Sequence, residues 1–185
     1  MKLTNITVLF ALLSCSSTSE PASPADPGQV SNVIQPLKIG YVWNYTQIDS
    51  NSDVTNEKRE VISRSNDWYE MEINDADTYY LSNLTDGLHF LISSTESQLL
   101  IKYPANKSDQ FSSGNAQYRV QNVDTMITTA AGTFSCYRYS RYTNTDILQT
   151  DNFYAVDIGY IKRIDYDTVT HAIHKTLELT SYTFK

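Results

Sequence analysis

Cysteine is scarce in this sequence: 185 residues carry two, Cys15 and Cys136. If the first is used elsewhere, as argued below, the folded part holds a single thiol and no intramolecular disulfide is available. No stretch of about 20 apolar residues occurs, so nothing is long enough to cross a bilayer as a helix. A sustained apolar period of 3.6 is missing too, which leaves room only for few and short helices. Proline disappears after Pro104, as an uninterrupted central sheet requires. Positive charge is in deficit, with 14 Lys and Arg against 21 Asp and Glu. A chain this acidic lacks the electrostatic footprint for nucleic acid or anionic lipid.

In their place stand 14 tyrosines, many threonines and few alanines, a bias towards residues that suit a pleated, half-buried surface. The length leaves room for one domain. From Pro36 onward, short alternating segments are separated by Asp, Asn, Gly and Ser clusters, the pattern of an antiparallel meander. Strands are expected over 40–49, 57–64, 67–74, 77–83, 87–93, 97–103, 116–128, 132–143, 148–157, 159–166 and 171–184. Period two is clearest near the end, with Ile173, Leu177 and Leu179 on one side and Thr176, Glu178 and Thr180 on the other. The predicted fold is all-β: one strongly curved antiparallel sheet, a half-open barrel of about 10–11 strands.

The N-terminus reads as a targeting segment. Met1 and Lys2 give a short positive start, and Ile6 to Leu13 is a mostly apolar run of eight, the length of a signal-peptide core. Leu12, Leu13, Ser14 and Cys15 resemble the lipobox of bacterial lipoproteins, although Leu13 is bulkier than is usual there. The resemblance implies that the thiol of Cys15 takes a diacylglycerol and that residues 1–14 are removed as a signal peptide. Each buried acyl methylene contributes roughly 0.8 kcal/mol, so two or three chains make a durable anchor. Residues 15–35, rich in Ser, Pro and Ala, read as the lipidated cysteine and a disordered tether. A tether of that length reaches about 25 Å as a coil and about 60 Å extended. Residues 36–185 form the single β domain. Ser16 is not the aspartate that tends to hold related lipoproteins in the inner membrane, so the expected location is the cell envelope, at the outer membrane on its periplasmic or surface face if the organism has one.

Three phrases resemble a group of uncharacterised bacterial lipoproteins. They are Pro36-Leu37-Lys38-Ile39-Gly40-Tyr41-Val42-Trp43-Asn44-Tyr45, then Ala131-Gly132-Thr133-Phe134, then Tyr154-Ala155 leading to Ile158-Gly159-Tyr160-Ile161-Lys162. The resemblance implies a curved sheet similar to the half-barrels of lipoprotein-carrier proteins, and implies no activity. Gly40 and Gly132 stand where a strand begins and a bulge or tight turn is needed. Tyr41, Trp43 and Tyr45 share one face. They are read as core first and as a ligand-binding platform second.

Motifs with chemistry are few. Cys136 follows Phe134 on an apolar face and reads as a small buried hydrophobe. His171 and His174 are an odd number apart, so in a strand they would face opposite sides, and His89 stands alone. Asp49, Asn51, Asp53, Thr55, Glu57 and Glu60 fall at positions 1, 3, 5, 7, 9 and 12 of a calcium-loop register. Val54 occupies the place that loop reserves for glycine, so a hydrogen-bonded hairpin turn is the stronger reading and Asp49, Asn51, Asp53 and Glu60 the weak metal candidate. There is no G-x-S-x-G, phosphate-cradling glycine loop or H-E-x-x-H, and no cofactor is expected.

The reading that follows is a non-catalytic, membrane-anchored envelope lipoprotein that binds an apolar or extended ligand, or a protein partner, on the concave face of its sheet. The rival readings are a hydrolase of envelope polymers and a structural or adhesion lipoprotein. An open groove lined by aromatics would speak for the first, converging ionisable groups for the second, and a closed, packed core for the third.

Overall fold

The computed structural model describes residues 32–185. Twelve strands account for the regular structure among them: β1 (Val42–Asp49), β2 (Val54–Ser65), β3 (Trp68–Ile73), β4 (Asp77–Leu84), β5 (Gly87–Ser93), β6 (Glu96–Lys102), β7 (Gln110–Ser113), β8 (Ala116–Thr129), β9 (Gly132–Tyr142), β10 (Leu148–Ala155), β11 (Gly159–Tyr166) and β12 (Ile173–Thr183). All pair antiparallel in one sheet, in the order β6-β5-β4-β3-β2-β1-β12-β11-β10-β9-β8-β7. The chain is thus two six-stranded meanders joined where the first strand meets the last. Val42 lies opposite Thr183 and Asp49 opposite Lys175.

Right-handed twist and several bulges bend the sheet until it nearly closes. The two edges, β6 and β7, face each other across a seam that no ladder crosses. Gln98 on β6 bridges it by donating its side-chain amide to Ser113 Oγ on β7 at 2.7 Å.

The all-β half-barrel is therefore what the sequence implied, with one strand more than expected. The addition is β7, four residues of Gln-Phe-Ser-Ser paired to β8 through the turn at Gly114–Asn115. Its single apolar residue, Phe111, leaves no alternation to detect. Ile173 departs from the expected face: it is 56% exposed while Leu177 and Leu179 are buried. The register slips where Tyr166 meets it, and the strand by then has run past the core.

Short polar turns join the strands at two ends. One end is closed by the chain itself. Residues 33–37 run beneath it, with Ile34 fully buried and Gln35 only 4% exposed. The Val33 carbonyl accepts the Asp157 N–H at 2.8 Å, and the Asp157 carboxylate accepts the N–H groups of Asn32 and Val33 at 2.9 and 3.1 Å. The expected tether of 15–35 is accordingly too long. Ile34 and Gln35 belong to the domain, because a β-branched apolar residue beside a hydrogen-bonding amide has a cavity to fill. Gly159 makes this possible: its φ is +99°, and a Cβ there would stand 2.3 Å from Gln35 Oε1. Gly40 and Gly132 also take positive φ at the strand starts anticipated for them.

Candidate functional site

The concave face was the expected binding surface, and it is filled. Tyr41, Trp43 and Tyr45 all point inward and are at most 3% exposed. Tyr41 stacks on Phe184 at 4.5 Å between ring centroids. Trp43 Nε1 donates to the Ile158 carbonyl at 2.8 Å and Tyr45 OH to the Tyr160 carbonyl at 3.0 Å. Trp43 and Tyr45 thus have their polar atoms satisfied within the fold, as core residues require. The space left between Trp43, Tyr45, Met71 and Tyr160 amounts to about 30 Å³, room for two or three water molecules at roughly 10–15 Å³ each. The structure brings the three aromatics together as core.

Inside, the composition changes along the barrel axis. Near the plugged end the lining is apolar, with Ile34, Trp43, Val61, Leu88, Ile101 and Leu179 all at most 2% exposed. Towards the other end polar residues take over on the same face. Arg59 lies two residues before Val61 and so also points inward. Its guanidinium stands 4.9 Å from the Tyr45 ring centre and 5.0 Å from that of Tyr160, and its Nε donates to Glu57 Oε1 at 2.6 Å. Burial disfavours the charge, but the surrounding phenols and Glu57 outweigh it, and the pKa of Arg59 stays above its ordinary value. Further round, Arg163 pairs with Asp165 at 3.0 Å, Thr150 Oγ1 donates to Asp165 at 3.1 Å, and Tyr160 OH to Asn152 at 2.9 Å. The interior carboxylates are therefore engaged by neighbouring arginines, an arrangement that holds the wall together.

This fold resembles one already solved. An exported protein by assignment, of YmcC-like fold, from Bacteroides fragilis superposes with a TM-score of 0.53 at 14% identity, over 83% of this chain and 100% of that one. A protein assigned as a lipoprotein, from Parabacteroides distasonis, gives a TM-score of 0.47 at 12% identity, over 84% of this chain and 100% of its own. At that identity the first likeness is one of fold. No protein-family model matches the sequence, and no curated protein does.

The remaining sequence candidates fall in separate places. Cys15 lies outside the described residues. In the acidic loop, Asp49 Oδ1 accepts the N–H groups of Asn51 and Asp53 at 2.8 and 3.0 Å, so the turn already uses this carboxylate. Glu60 sits opposite Val42 at the far end of the β1–β2 hairpin, held by Lys58 at 2.7 Å. The structure does not gather Asp49, Asn51, Asp53 and Glu60 into one site, because a hairpin separates residues that a helix–loop–helix would bring together. Cys136 is fully buried, and burial pushes its thiol up to about 12. His89 bonds Asp86 at 2.8 Å. His171 takes a positive φ of 59° in the β11–β12 turn, so the strand alternation expected for it does not apply.

Two polar features were not foreseen. On the outer face, Asp151 is 1% exposed and accepts from Arg138 at 2.7 Å, from Tyr166 OH at 2.9 Å, and from the Ser140 hydroxyl. At the rim opposite the plug, beside the seam, lies a pocket of about 440 Å³, within the range of small-molecule sites. Its wall includes Gln98, Ser113, Asn115, Arg141, Asn144 and Gln149, and no carboxylate lines it. The turn at Thr143 shapes one side: Thr143 Oγ1 accepts the N–H groups of Thr145 and Ile147 at 3.2 and 3.1 Å. Period two could have placed Arg59 and Arg141 inward, since they follow the parity of Val61 and Tyr139. The distant turns that complete each environment leave no local trace.

Proposed function

We propose that this protein is a non-catalytic lipoprotein of the cell envelope, anchored through Cys15 and, where the organism has one, residing at the outer membrane. The sheet acts as a rigid scaffold whose outer surface and open rim meet other molecules. The observation that carries this reading is the filled interior. A carrier of acyl chains needs hundreds of cubic ångströms of apolar space, against roughly 30 Å³ in the cavity among Trp43, Tyr45, Met71 and Tyr160. Pairing of Glu57 with Arg59 and Asp165 with Arg163 supports a structural use of the interior carboxylates over hydrolytic chemistry.

The chain enters the domain at the plugged end, so a lipid on Cys15 tethers that end and leaves the rim free. Outward pairs such as Lys162–Glu178 at 2.6 Å and Lys58–Glu60 at 2.7 Å suit an aqueous surface. The test is metabolic labelling with a clickable fatty acid, followed by membrane fractionation. Label and membrane recovery should both be lost in Cys15→Ala. Unlabelled wild-type protein recovered in the soluble fraction would overturn the reading.

A further inference from the structure

We propose that the rim pocket beside the seam binds a small oxyanion, a molecule bearing a carboxylate or phosphate, with Arg141 as its anchor. Five of the six arginines, Arg59, Arg64, Arg119, Arg138 and Arg163, stand within 3.5 Å of a carboxylate. Arg141 has no ion pair among the described residues, and it lines the rim pocket of about 440 Å³. It follows Tyr139 by two positions on β9, so it leaves the inner face of the sheet at the mouth, where the barrel wall gives out.

A free guanidinium is unusual in a chain of formal charge −7, where carboxylates are in surplus. Its planar fork matches a carboxylate or phosphate edge with two parallel hydrogen bonds. Around it the wall offers the side-chain amides of Gln98, Asn115, Asn144 and Gln149. An amide both donates and accepts, so these groups can hold the hydroxyl or amide body of the same ligand. Gln98 is already fixed by its bond to Ser113 across the seam, which gives the pocket a preorganised floor. An apolar ligand has little to gain here, and a cation would meet Arg141 without a carboxylate to offset it.

The test is isothermal titration of the full mature chain in mild detergent with three probes, D-glucuronate, N-acetylglycine and inorganic phosphate, and with D-glucose as the neutral control. At least one anion should bind at one site per chain, at least tenfold tighter than glucose, and the probe that does so identifies the source as sugar acid, peptide-like carboxylate or phosphate. Arg141→Gln should weaken that binding at least tenfold. Gln149→Glu, which supplies an internal carboxylate for Arg141, should do the same and serves alone if the first variant fails to fold. Urea midpoints for both variants should match the wild type, since both side chains stand at the rim. No binding of any anion at about 10 mM, or wild-type affinity in a folded Arg141→Gln, overturns the proposal. The pocket is independent of acylation at Cys15, so this experiment and the labelling experiment can fail separately.

Discussion

Gln35 Oε1 accepts the backbone N–H of Tyr160 at 3.1 Å, joining residues 125 positions apart. With the Gln35 carbonyl taking the Asn83 amide at 2.8 Å, one residue of the N-terminal segment ties β4 to β11 across the end of the barrel. A chain starting at Asn32 should therefore be as stable as the mature protein, and one starting at Pro36 should not. Losing the burial of Ile34, worth about 1.5–3 kcal/mol, and the Gln35 bonds, worth about 1–3 kcal/mol, should lower the unfolding free energy by about 3–5 kcal/mol in urea denaturation. Equal midpoints for the two chains would show that the segment is not part of the domain.

The tyrosines set an alkaline limit. Burial raises the pKa of Tyr45, Tyr139, Tyr154 and Tyr160, and with Asp151 nearby brings Tyr166 to about 12. Their folded pKa values exceed the unfolded value of about 10, so their contribution is whole below that pH and is lost as pH rises towards the folded values. Tyrosinate absorbance should show an exposed class titrating near pH 10 and a second class that appears together with loss of the strand circular dichroism signal. Titration of every tyrosine near pH 10 in an intact fold would contradict the packing.

Asp151→Ala should be costly although it lies on the outer face. It leaves the Ser140 hydroxyl and Tyr166 OH without their acceptor, and Arg138, whose side chain is 39% exposed, turns to water. The expected loss is about 2–3 kcal/mol by urea denaturation. A loss under about 0.5 kcal/mol, the range of ordinary surface changes, would mean that the cluster is not closed.

Cys136 should be inert. A fully buried thiol with its pKa raised to about 12 is almost entirely protonated at neutral pH, and the thiolate is the reactive form. Native protein should resist thiol-specific alkylation and react stoichiometrically once unfolded in guanidinium. Rapid labelling of the native state would show that β9 opens locally.

Much of the fold could be read from the sequence because strand alternation is a local signal. Every expected strand corresponds to one observed, and Leu177 and Leu179 face inward as their spacing implied. Trp43 was legible as core for the same reason. What escaped has non-local causes: β7 is held by its neighbour β8 rather than by its own pattern, and Gln35 is buried because Gly159, far along the chain, leaves its side chain room. The candidate sites fared worse. Asp49 to Glu60 matched a calcium spacing, but spacing has meaning only in its own loop geometry. The pocket at Arg141 unites β6, β7, β8, β9 and β10, and no window of sequence contains it.

The filled interior is tested most directly by native mass spectrometry of the mature protein released gently from the membranes of its host. The mass should equal that of the chain plus the lipid on Cys15, with no acyl ligand retained in the domain. A stoichiometric extra lipid that survives release, and is displaced when Trp43→Ala or Tyr45→Ala variants are compared, would contradict the account.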